Sequence, residues 1–109
     1  MHVEVDADRG RLSLRGRLDA RSITDVRDVL HRAVDDAPGD LVVDLAGLEI
    51  WDAAGLGVLL GGHRRAERQG RRMLLTGVPA PITRMLRITR LSRVLHVTEV
   101  AGVEPAMAG

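Results

Sequence analysis

Two short apolar runs, "LVVDL" at 41–45 and "RMLLTGV" at 72–78, constrain this chain more than any other feature. Each is too short for a buried helix and has the compact apolar character of a strand covered on both faces. Between them, residues 54–69 follow a helical pattern, and Gly70 suits the cap that ends a helix. A strand, a helix and a second strand joined by short connections call for parallel pairing, because antiparallel neighbours need only a tight turn.

The flanking segments extend that unit. "HVEVDADRGRLSLRG" reads as a hairpin: Val3 and Val5 alternate with polar residues, Asp8-Arg9-Gly10 turns the chain, Leu12 and Leu14 resume the alternation, and Gly16 ends the second strand. Ser22 is placed to cap a helix, with Asp25 three residues on in the manner of a capping box. Ile23, Val26, Leu30 and Ala33, supported by Val29 and Val34, form its apolar stripe, and Pro38-Gly39 stops it. Pro79 and Pro81 open a third helix with Ile82, Met85 and Leu86 inward, and "RVLHVTEV" supplies a last strand.

The order is β-β-α-β-α-β-α-β, which predicts an α/β fold. Its mixed, mostly parallel sheet has an N-terminal antiparallel hairpin and carries the helices packed on it. No linker divides the 109 residues, so 1–109 read as one domain whose last residues, 101–109, form a short tail or helix.

Composition removes several classes of function. The chain is 45% hydrophobic with one tryptophan and no phenylalanine or tyrosine, so its core is aliphatic. Zero cysteines exclude disulfides, thiolate zinc sites and a cysteine nucleophile. His2, His31, His63 and His96 lack ligand spacing, and no P-loop or Ser–His–Asp order is present; no metal, cofactor or enzymatic activity is expected. Stacking aromatics are missing apart from Trp51 and net charge is only +1, against nucleic-acid binding. The longest apolar stretch, 53–62, is far below the roughly 20 residues of a membrane helix, so direct insertion is not expected and a cytoplasmic location is. All sixteen basic residues are arginine, reflecting either GC-rich coding or bidentate contacts to carboxylate or phosphate. Arg64, Arg65, Arg68, Arg71 and Arg72 gather at a helix end and the turn after it, as a solvated face or a dock for an acidic partner. Arg84, Arg87, Arg90 and Arg93 recur every three residues, as a polar outer stripe.

The segment "WDAAGLG" is a strand-to-helix corner. Asp52 is suited to accept a backbone N–H near Gly55, and Gly55 permits close packing. Free amides and the helix dipole favour an anion at such a corner. Here it carries only the methyl groups of Ala53 and Ala54. Trp51 either packs beside this loop or lies partly exposed at it. Gly61-Gly62 costs the helix roughly 1 kcal/mol per glycine, which either close packing or a flexible helix would explain.

In order, "GRLDA" (16–20), "DAAGLG" (52–57), "GRRMLLTGVP" (70–79) and "ITRL" (88–91) resemble the STAS domain of bacterial anti-sigma factor antagonists, over about residues 3–100. The resemblance implies a non-enzymatic regulator that binds an anti-sigma factor, usually a GHKL-type serine kinase, and so frees a sigma factor. In that family the kinase phosphorylates a Ser or Thr just before the motif's glycine, and the phosphate breaks the complex. That position is Ala54 here, with Ala53 replacing its usual hydroxylated neighbour. The implied partner-binding residues are Asp19, Asp52, Ala53, Ala54, Gly55, Leu56 and Gly57, with Leu60 further along the same helix, in a monomer or weak homodimer. Without an acceptor at Ala54, binding should be constitutive or controlled in another way. The alternative is the small cytoplasmic STAS subunit of a phospholipid-type ABC transporter, which works without phosphorylation.

Overall fold

A computed structural model describes residues 3–8, 10–50 and 53–98. Five strands, β1 (Val3–Asp8), β2 (Arg11–Leu18), β3 (Leu41–Ile50), β4 (Met73–Thr76) and β5 (His96–Val97), alternate from β2 onward with α1 (Ile23–Asp36), α2 (Ala53–Arg68) and α3 (Ala80–Ile88). A single 3-10 turn, Leu91–Arg93, precedes β5. Strand order in the sheet is the order in the chain. β1 lies antiparallel to β2 at one edge, and β2, β3, β4 and β5 are parallel throughout.

The aliphatic core explains this layering. Register pairs Leu12 with Val43, Leu41 with Met73 and Val43 with Leu75, and all of these side chains are buried. They form one cluster with Val26, Leu30 and Val34 of α1, Leu56, Leu59 and Ala66 of α2, and Ile82 and Leu86 of α3. The intervening Ser13, Val42, Asp44, Leu74 and Thr76 are only partly buried. The apolar run at 41–45 is therefore packed on one face, not both. Helices cover that face, and Val42 belongs to the other, more open one.

Several local expectations are corrected in the same way. Gly16 does not end β2; it sits inside the strand with φ 111°, just past the register shift between Ser13 and Arg15. The last strand shrinks to His96–Val97, because Arg93 is in the 3-10 turn and Leu95 is drawn into the core. Ser22 makes no side-chain cap bond to α1. The C-terminus of α2 behaves as the sequence suggests. Gly70, at φ 71°, donates its amide to Glu67 O (3.0 Å) and Arg71 N reaches Ala66 O (2.9 Å), the paired bonds of a Schellman end. Pro79 caps α3, with Pro81 in its first turn. Residues 101–109, read as a tail or short helix, lie outside the described residues, as do Trp51 and Asp52.

Candidate functional site

The site is built where β2 and β3 end together. Leu18 pairs with Ile50, so the loop leaving β2 and the first turn of α2 share one end of the sheet. Gly55 is the hinge of that contact. A Cβ on it would stand 2.8 Å from Ile50 Cγ2 and 3.2 Å from Leu18 Cδ2, so only glycine lets α2 start this low on the strands. Its neighbours then separate by helical phase. Gly55 and Leu56 are buried, whereas Ala53, Ala54 and Gly57 are exposed, and a Cβ on Gly57 would meet nothing within 4 Å. The first turn of α2 contains no acidic residue.

Of the residues expected at the partner surface, Gly55 and Leu56 thus serve packing, and Ala53, Ala54 and Gly57 form the outward patch. Further along the helix, Leu59 is fully buried and Leu60 partly so. Asp52, expected to cap α2, falls outside the described residues.

Asp19 is partly buried at the same sheet end. Its Oδ1 accepts the amide of Arg21 (2.9 Å), closing an Asx turn. Its own amide donates to Ser22 Oγ (3.1 Å), and the Ser22 hydroxyl faces the carbonyls of Arg17 (3.2 Å) and Asp19 (3.3 Å). Ser22, 5% exposed, therefore ties the end of β2 to the start of α1 instead of capping the helix. That role could not be read from the sequence, because a serine before a helix has the same local signature in either use. With Asp19 fixed by its own loop, one carboxylate stands beside a methyl-bearing helix start.

The arginines divide into bonded and outward groups. Arg65 grips Asp35 in two parallel bonds of 2.8 Å, and Gln69 adds a third at 2.7 Å, which ties α2 to α1. Hydrogen bonding to Arg65 and then to Gln69 holds the Asp35 carboxyl well below the usual carboxylate range. Arg72 closes on Asp40 through its backbone amide (2.9 Å) and guanidinium (2.8 Å), again lowering that carboxyl. Arg71 bonds the carbonyl of Ala37 and the side chain of Gln69. Arg65, Arg71 and Arg72 are thus structural ties, and Arg64 and Arg68 remain exposed. Arg84, Arg87, Arg90 and Arg93 are exposed as well.

Among the described residues the remaining titratable groups are dispersed. His63 is buried against His96, ring centroids 5.3 Å apart, with its Nε2 3.6 Å from Glu67. Among the described residues no cluster of three or more His, Cys, Asp or Glu could hold a metal ion. A depression on the open sheet face is lined by Ser13, Arg15, Asp44 and Gly47, with Asp44 already accepting the amide of Ala46 (2.9 Å). Among the described residues no helix is long and apolar enough to cross a membrane.

Residues 1–99 match the family model described as "Mlab, STAS domain". The chain belongs to the STAS domain family. An anti-sigma-B factor antagonist of Staphylococcus aureus is 29% identical over 89 residues, 82% of each chain, and its Staphylococcus epidermidis counterpart matches equally. Among solved structures, a STAS-domain anti-sigma-factor antagonist from Planctomyces limnophilus superposes with a TM-score of 0.70 at 18% identity, covering 91% of this chain and 90% of that one. The Bacillus cell fate determinant SpoIIAA in its phosphorylated form gives 0.67 at 18% identity, covering 97% and 95%. At such identities the structures speak for the fold alone. The sequence relatives named above are anti-sigma-B factor antagonists.

Proposed function

We propose that this STAS domain is an anti-sigma factor antagonist whose binding surface cannot be turned off by phosphorylation at the family's usual position. Its partner is an anti-sigma factor of the GHKL kinase type, and the complex frees a sigma factor. The observation that carries the reading is Ala54: exposed, in the first turn of α2, with a methyl group where the resemblance puts a hydroxyl. A phosphate there would add about −1.5 to −2 charges at neutral pH, beside Asp19 and against a surface that otherwise presents methyl groups. Alanine offers no oxygen to modify. The outward patch of Ala53, Ala54 and Gly57 stays neutral whatever the kinase does, with Asp19 as its polar flank. The named relatives favour this over the transporter-subunit alternative.

The test is binding of the purified cognate anti-sigma kinase to wild type and Ala54→Asp, measured by calorimetry with and without ATP. We expect wild type to bind equally well after ATP treatment and A54D to bind at least tenfold more weakly. Loss of wild-type binding on ATP treatment, with phosphate found on Ser13, Ser22, Thr24 or another residue, would overturn the unswitched reading. Full binding by A54D would remove this helix start from the interface.

A further inference from the structure

From Arg68 to Thr98 the chain carries seven arginines and no acidic residue. Arg71 and Arg72 of that stretch are bonded internally, but Arg84, Arg87, Arg90 and Arg93 all face outward around the end of α3. Between them stands Ile88, 74% exposed, with Val94 at 44%; these are the exposed large hydrophobic side chains among the described residues. Cations three residues apart on a helix repel slightly, and an exposed isoleucine gains nothing from folding. Among the described residues no acidic side chain pairs with these four arginines.

Backbone geometry sharpens the point. Arg90 has φ 63°, the one positive φ at a non-glycine position among the described residues. It follows the C-cap Thr89 of α3, where helices commonly take glycine because a Cβ in this conformation crowds the following carbonyl oxygen. Everything the fold asks of this residue comes from its backbone: its amide donates to Arg87 O (3.1 Å) and its carbonyl accepts from Arg93 N (3.2 Å). The open carbonyls of α3 are met by Thr89, whose hydroxyl donates to Met85 O (2.7 Å). Glycine would meet each demand with less strain. The strain therefore holds a guanidinium at the tip of α3, at the entrance of the tight turn that contains Arg93.

We propose that the α3 tip, formed by Arg84, Arg87, Ile88, Arg90 and Arg93, is a second docking surface, and that it receives an acidic protein segment bearing an apolar residue. Guanidinium forks match carboxylates in paired bonds, as Arg65 and Asp35 do within this chain, and Ile88 supplies the apolar centre that the charges encircle. Two isolated apolar side chains are a small footing for a lipid surface, and four arginines without stacking aromatics a poor one for nucleic acid. The surface lies away from Ala54, because α3 leaves the end of β4 and runs back toward the start of β5.

The test uses fluorescein-labelled peptides of repeating Glu-Glu-Leu-Glu and of glutamate alone, with anisotropy read at low and at physiological salt. Full-length wild type is compared with Arg90→Gly, Arg87→Glu, Ile88→Ser and Arg27→Glu, the last an exposed arginine on α1. We expect R90G and R87E to weaken the leucine-containing peptide at least fivefold, I88S to weaken it but not the all-glutamate peptide, and R27E to change neither. R90G should keep or raise the thermal midpoint, which separates a lost contact from a damaged fold. The proposal fails if R90G binds like wild type, or if R27E loses as much as R87E. It fails too if phosphatidylglycerol vesicles or duplex DNA, and not the peptide, respond to the arginine substitutions.

Discussion

Gly61 and Gly62 stand side by side in α2 and meet different surroundings. A Cβ on Gly62 would lie 2.6 Å from Leu30 Cδ2 and 2.9 Å from both Leu30 Cγ and Met73 Sδ, where α1 and α2 cross over β4. On Gly61 the nearest atom would be His31 Nε2 at 3.8 Å. Alanine gains about 1 kcal/mol of helix propensity at either site. At Gly62 the gain is opposed by overpacking of about 1–3 kcal/mol. We expect Gly61→Ala to raise the thermal midpoint and Gly62→Ala to lower it; equal shifts would show that α2 yields as a flexible helix rather than packing closely. Ser22→Ala should cost about 1 kcal/mol in denaturant unfolding, because the partly buried amide of Asp19 loses its acceptor. The sequence showed that these glycines are costly, but not which one touches α1, because that depends on how two helices cross. It likewise marked Ala54 as chemically blank, yet could not separate buried Gly55 and Leu56 from their exposed neighbours.

Between elements, the α1–α2 pair is fastened by Asp35, Arg65 and Gln69, and the start of β3 to that of β4 by Asp40 and Arg72. Periodicity could find the helices, since Val26, Leu30 and Val34 repeat on one face, but a salt link spanning thirty residues leaves no local trace. These links set the direction of pH dependence. Asp35 and Asp40 are held below the usual carboxylate range, so the folded state binds fewer protons than the unfolded chain. Their contribution is present above the unfolded pKa and is lost as pH falls below it. His31 is lowered as well, by desolvation first and then by Arg65 and Arg27. A histidine kept neutral in this way also loses stability as pH falls through the ordinary histidine range. Urea midpoints should therefore decline from pH 7 to pH 5 and again below about pH 4. His31→Gln should remove part of the first decline, and Asp35→Asn with Asp40→Asn part of the second. A midpoint flat from pH 7 to pH 3 would contradict the geometry of both ties.

At the scale of the whole molecule, parallel strands give the domain two unlike ends. Every helix begins where strands finish, so Ala53, Ala54 and Asp19 gather at one end. Arg90 and Arg93 sit at the other, just ahead of β5, whose His96 pairs with Leu74 near the start of β4. Leu74 in turn pairs with Val42, so β3 runs on to Ile50 past that level, which at about 3.3 Å per residue separates the two surfaces by roughly 26 Å. That polarity follows from the β-α alternation legible in the sequence. The open sheet face does not, because a run as apolar as "LVVDL" suits a strand packed on both sides. The separation makes a quantitative demand. Substitutions more than about 10 Å apart, with no shared partner, add within about 0.5 kcal/mol. Ala54→Asp should leave acidic-peptide affinity unchanged, Arg90→Gly should leave affinity for the anti-sigma kinase unchanged, and the double variant should show each single loss in its own assay. A partner that lost affinity in both variants, by more than the two losses combined, would span both ends and make them parts of one continuous interface.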